Sequence, residues 1–139
     1  MQKVLFLDID GVVGSMYTHG GDIQFDPVHV SLVRSIIKET ECLVVLSSTW
    51  RLSSQGRLHA GALLGAPFDV TPSISFLQRG LEIEAWLKAQ EGEVRYAIID
   101  DDDDMLPEQR PHFFRTDGVV GLTPKIVESI ITHLNKGGI

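Results

Sequence analysis

Two segments of this 139-residue chain run from apolar residues into carboxylates. One is Lys3-Val4-Leu5-Phe6-Leu7-Asp8-Ile9-Asp10-Gly11, and the other is Tyr96-Ala97-Ile98-Ile99-Asp100-Asp101. Carboxylates brought together repel, so either some take up protons or a cation holds them. Their donors are hard oxygens, and the cation expected is a hard one, Mg²⁺. Asp8, Asp10 and Asp101 are the candidate ligands, with Asp100 either positioning Asp101 or binding in its place.

Convergence of that kind demands particular elements. Each apolar run is too short for a buried helix and rich in β-branched or aromatic residues, as in central strands of a parallel sheet. The acids then stand at strand C-terminal ends, the edge at which open α/β sheets bind ligands. Asp8 and Asp10 are two residues apart where a strand breaks into a loop, so both can address one ligand. The turn at Gly11 turns backbone N–H groups toward an anion. A calcium loop of the EF-hand kind does not fit, because no bidentate Glu closes it and no helices flank it.

The rest of the chain alternates strand and helix patterns. Residues 3–9 read as a strand. Asp26-Pro27 caps and opens a helix to about Thr40, with Val30, Val33, Ile36 and Ile37 on one face. Cys42–Leu46 reads as a strand, Gln55–Leu64 as a helix ending near Gly65, and Phe68–Thr71 as a short strand. A helix begins near Arg79, Val94–Ile99 is a fourth strand, His112–Thr116 a fifth, and Thr123-Pro124 starts a last helix through Leu134. This alternation implies right-handed crossovers and a doubly wound, Rossmann-like five-stranded parallel sheet flanked by helices, in one domain over residues 1–139. Residues 12–26 exceed an ordinary βα loop. Within them Gly20-Gly21 is a hairpin signal, so a small β-flap is expected over the acidic edge.

Other residues at that edge suit an anion. Ser47 and Ser48 end the strand expected beside the acidic one, and a hydroxyl with the next N–H can hold a phosphate oxygen. Arg79 at a helix start can neutralise a phosphate, and Arg51 competes for the role. Asp100–Asp104 is a run of five aspartates, of which the last three read as solvated or capping. His19, His29, His59, His112 and His133 show no ligand spacing, and Trp50 and Trp86 read as core anchors.

Composition narrows the classes. With 43% hydrophobic residues the chain can bury one core. A net charge of −7 argues against broad, sequence-independent nucleic-acid binding but leaves a local basic site open. The single cysteine, Cys42, permits neither a disulfide within the chain nor a thiolate metal site, as in a reducing cytoplasm. No apolar stretch reaches membrane-span length and no secretory pattern opens the chain, so a cytoplasmic location is expected.

These motifs resemble the haloacid dehalogenase-like (HAD) phosphohydrolase superfamily over nearly the whole chain. Phe6-Leu7-Asp8-Ile9-Asp10-Gly11-Val12 looks like its first motif, Val44-Val45-Leu46-Ser47 its second, Arg79 its third, and Ile98-Ile99-Asp100-Asp101 its fourth. The resemblance implies Asp8 as nucleophile, Asp10 as general acid and base, Ser47 and Arg79 as phosphate ligands, and Asp101 as a Mg²⁺ ligand. A phospho-receiver domain is disfavoured, because its phosphorylated Asp ends the third strand, where this chain has Phe68-Asp69-Val70-Thr71. Neither place where large caps are inserted has enough residues, so the chain looks like a capless member. Leu77 to Leu87 is similar to segments of small phosphatase domains associated with RNA repair and phages. The implied function is a Mg²⁺-dependent phosphatase working through an aspartyl-phosphate. Its open site would admit bulky phosphoesters, including polynucleotide ends. The alternative is a catalytically silent HAD-like module that binds phosphorylated ligands or proteins.

Overall fold

The computed structural model describes residues 1–17, 23–74 and 78–136. Five strands form one parallel sheet: β1 (Gln2–Leu7), β4 (Leu43–Leu46), β5 (Phe68–Val70), β6 (Val94–Asp100) and β7 (Phe113–Arg115). Two more, β2 (Ser15–Tyr17) and β3 (Ile23–Phe25), pair antiparallel as the expected flap. The Gly20-Gly21 turn lies outside the described residues. The helices are α1 (Pro27–Thr40), α2 (Ser54–Leu64), α3 (Arg79–Lys88) and α4 (Pro124–Asn135).

Local chemistry explains the helix starts. Asp26 caps α1 by accepting from Val28 N at 2.8 Å, and Thr123 caps α4 by accepting from Ile126 N at 3.3 Å, each followed by a proline that supplies no N–H to satisfy. Gly65 ends α2 in the left-handed conformation. Two 3₁₀ turns, Thr49–Leu52 and Pro107–His112, had no counterpart in the sequence pattern.

The sheet order is β5-β4-β1-β6-β7, which is the doubly wound arrangement. From β1 the chain winds outward through α1, β4, α2 and β5, then crosses to β6. The two acidic strands, β1 and β6, therefore flank the point where the winding reverses. Both faces of β1 are covered, as its unbroken apolar run requires. Leu5 and Leu7 pack with Val33 and Ile36 of α1, Leu63 of α2 and Ile130 of α4. On the opposite face Val4 and Phe6 pack with Ile83 and Trp86 of α3, the Phe6 and Trp86 rings meeting edge-on at 5.4 Å.

Register aligns the acidic edge. Leu7 is paired with both Leu46 of β4 and Ile99 of β6. The next row of the sheet is therefore Ser47, Asp8 and Asp100, side by side, and the ladder continues into it: Asp8 N donates to Ile99 O at 3.1 Å and Ser47 N to Leu7 O at 3.0 Å.

Candidate active site

Asp8 leaves β1 in that row with only 5% of its surface exposed, and Asp100 ends β6 fully buried. Carboxylate oxygens of Asp8, Asp100 and Asp101 can all lie within 4.8 Å of one another. Among the described residues, one cation faces them. The Arg79 guanidinium lies 3.4 Å from Asp8 Oδ1 and pairs closely with Asp100 Oδ2. A single guanidinium does not balance three carboxylates. Burial, and next the charge of Asp100, push the Asp8 carboxyl up to about 8, with Arg79 pulling the other way. Burial likewise raises Asp100. Two buried acids that resist ionising, beside a third, form an all-oxygen set that fits a hard metal ion.

The third acid is held by missing side chains. Gly11 adopts a positive φ of 81°, and a β-carbon built there would stand 2.2 Å from Asp101 Oδ2. At Gly118 the same construction comes within 3.0 Å of that oxygen. Arg115 Nε donates to the Asp101 carbonyl at 3.0 Å, and Thr116 Oγ1 donates to Gly11 O at 2.7 Å, which joins the loop after β7 to the loop after β1. Gly11 was visible in the sequence as a turn residue. Gly118, Arg115 and Thr116 were not, because their partners are remote in the chain.

Arg79 is placed from outside its own helix. Gln78, at the cap position of α3, makes no side-chain cap bond. Asp104 takes that role: its Oδ2 accepts from Arg79 N at 3.0 Å and its carbonyl from Gly80 N at 3.1 Å. Gln109, in the 3₁₀ turn, donates to Gly80 O at 2.8 Å. Of the aspartate run, then, Asp100 and Asp101 face the site and Asp104 caps a helix.

Four expectations change. Arg51 is 5% exposed, and its guanidinium donates to Thr71 O at 3.0 Å, Ser48 O at 2.8 Å, Ser47 O at 3.3 Å and Glu82 Oε2 at 2.9 Å. It braces the serine turn against α3 and has no free face for a phosphate. Ser48 is also committed, its hydroxyl accepting from Trp50 N at 3.2 Å to start the 3₁₀ turn. Ser47 Oγ, by contrast, is buried with no partner among the described residues, so a ligand atom would satisfy it. Asp10 falls outside the carboxylate cluster: it is exposed, and its Oδ2 accepts from Trp50 Nε1 at 3.2 Å. Trp50 thus belongs to the rim of the site, whereas Trp86 is the buried anchor expected, its indole N–H on Asp69 at 3.0 Å. Of the histidines, His29 Nδ1 accepts from Gly14 N and His112 pairs with His133 at 3.1 Å, while His19 lies outside the described residues.

Comparison with known proteins agrees with this geometry. No curated protein sequence matches the chain. Among solved structures, a protein described as a HAD superfamily (subfamily III A) hydrolase from Legionella pneumophila superposes with a TM-score of 0.55 at 15% identity, over 99% of this chain and 86% of that one. It shows the same fold. No helix among the described residues is long and apolar enough to cross a membrane. Residues 4–127 match the family described as the HAD domain in Swiss Army Knife RNA repair proteins. With the match spanning nearly the whole sheet and all four acidic, serine and arginine motifs, the chain belongs to that family of HAD hydrolase-like domains.

Proposed function

We propose that this domain is a phosphomonoesterase that works through an aspartyl-phosphate on Asp8, with Mg²⁺ as its metal and phosphorylated polynucleotide ends among its substrates. The observation that carries the reading is the Arg79 guanidinium, held at the switch point against Asp8 and Asp100 at the start of α3. There it neutralises charge on a phosphoryl group about to meet Asp8.

Asp8 attacks phosphorus in line, forming a carboxyl–phosphate bond as the ester oxygen leaves with its bonding pair. Asp10 gives that oxygen a proton, then takes one from the water that attacks the same phosphorus, which frees phosphate and restores Asp8. Exposure suits Asp10 to this work, because the leaving group and the water both arrive from solvent. Ser47 supplies a hydroxyl to a phosphoryl oxygen. Asp8, Asp100 and Asp101 would hold Mg²⁺, whose charge favours the ionised form of Asp8 and stabilises the transferring group. The polynucleotide class rests on the family's association with RNA repair and on the short flap.

The test is Mg²⁺-dependent phosphate release from p-nitrophenyl phosphate and from 3′- and 5′-phosphorylated oligonucleotides. Asp101→Ala is expected to raise the Mg²⁺ needed for half-maximal rate at least tenfold. Failure of every ester at saturating Mg²⁺, with a phosphorylated ligand still bound, would establish instead a silent binding module.

A further inference from the structure

Asp10 marks where a leaving group must lie, because it is the residue that meets the departing oxygen. From Asp10 a groove of about 510 Å³ runs along the start of α2, past Thr49, Trp50, Gln55 and His59, with Ile23 of the flap on its far side. That volume is in the range of small-ligand sites.

The chemistry of the lining is selective. The Trp50 indole is fixed: its N–H is on Asp10, its ring centre lies 5.4 Å from that of Phe25, and the His59 ring meets it near-perpendicular with centres 6.2 Å apart. It is a rigid aromatic surface beginning at the catalytic acid. One turn along α2, Gln55 and His59 are neighbours at i and i+4, their side-chain nitrogens 3.2 Å apart. Hydrogen-bonded to each other, they hold the Gln55 amide oxygen and remaining N–H and the His59 Nδ1 at the groove wall. No Lys or Arg is among the described residues that line the groove. A polyphosphate or a run of backbone phosphates along this wall would meet only the negative charge of Asp10. A flat, uncharged group with hydrogen-bonding edges meets an aromatic face and a paired polar edge.

We propose that this groove seats the nucleoside of the terminal nucleotide, with Trp50 as stacking surface and Gln55 and His59 as the residues that read its edge. The proposal rests on the phosphatase reading for its choice of leaving group. It makes one nucleoside the unit recognised and directs the remainder of any strand away from α2.

Two measurements on the intact protein test it. In a ¹H–¹⁵N spectrum the two indole N–H signals, assigned with a Trp50→Phe variant, report on the groove and on the core separately. Adenosine and uridine at millimolar concentration are expected to shift the Trp50 signal and leave that of Trp86 in place. In Mg²⁺-supported kinetics, nucleoside monophosphates are expected to exceed ribose 5-phosphate about tenfold in kcat/KM, in keeping with a stacked base. Gln55→Ala and His59→Ala should each raise KM for nucleotides several-fold with kcat kept. A Trp50 signal that ignores nucleosides, together with nucleotides no better than ribose 5-phosphate, overturns the groove assignment while the phosphatase reading stands. A shifted Trp50 signal with no ester hydrolysed upholds the groove and removes the phosphatase reading.

Discussion

Arg51 and Arg79 lie at the same edge of the sheet and are joined through α3, yet their surroundings are opposite. Arg51 is ringed by backbone carbonyls and one acid, Glu82. Every donor direction ends in a partner that cannot leave. Arg79 faces two carboxylates beside an orphaned serine hydroxyl, and its side chain stays about one-fifth exposed. A guanidinium enclosed by carbonyls is a brace, and one held against surplus acid is available to an anion. The elements they belong to differ accordingly: the Thr49–Leu52 turn is fixed for shape, and the start of α3 for charge.

Removing the acid that Arg79 faces should have the largest effect. Asp8→Asn keeps side-chain shape and lacks the nucleophile, so kcat should fall by on the order of 10⁶, the size seen when covalent catalysts lose theirs. Near-normal turnover in a variant with an unchanged melting temperature would disprove the assignment. Next come the arginines. Arg79→Ala should lower kcat roughly 10²–10³-fold and, because the buried Asp100 loses its partner, should lower stability as well. Arg51→Ala should cost about 3–5 kcal/mol in a urea titration, because Glu82 is left buried and unpaired, while the folded fraction keeps its turnover. A larger loss of turnover in folded Arg51→Ala than in Arg79→Ala would undo the distinction between brace and anion holder.

A pH series sharpens the comparison further. The raised carboxyl of Asp8 binds a proton in the folded state that the unfolded chain releases near pH 4. Metal-free protein should therefore lose stability as pH rises from about 4 toward 8, and added Mg²⁺ should raise the melting temperature more at pH 8 than at pH 5. Equal Mg²⁺ effects at both values would count against the carboxylate cluster as its site. The smallest effect is reserved for the helix cap. Asp104→Ala should destabilise by about 0.5–2 kcal/mol, and the exposed Asp103→Ala by almost nothing. Matching melting curves for the two would remove Asp104 from its place at α3.

What the sequence disclosed and what it concealed divide by distance along the chain. Asp26-Pro27 and Thr123-Pro124 announce helix starts because cap and partner lie within three residues. Asp8, Ser47 and Asp100 were legible because a strand end is readable from its own apolar run. Arg51 misled because Thr71 and Glu82 come to it from 20 and 31 residues away. Asp104 was read as solvated or capping the turn after it, because the N–H it caps lies 25 residues earlier. Trp50 was read as core because indoles usually are, and only the packed flap shows it turned toward Asp10.

The shared row of Ser47, Asp8 and Asp100 has a consequence for change by length. Pairing of Leu7 with Leu46 and Ile99 sets three side chains abreast, and a strand alternates faces at every residue. Deleting one residue from β1 would carry Asp8 to the wrong side of the sheet and present an aliphatic group to Arg79, however conservative the remaining sequence. The three central strands are thus open to substitution but closed to insertion and deletion, like teeth that must stay in mesh. Tolerance for added length lies instead at the exposed turn of residues 91–93 between α3 and β6, far from this row.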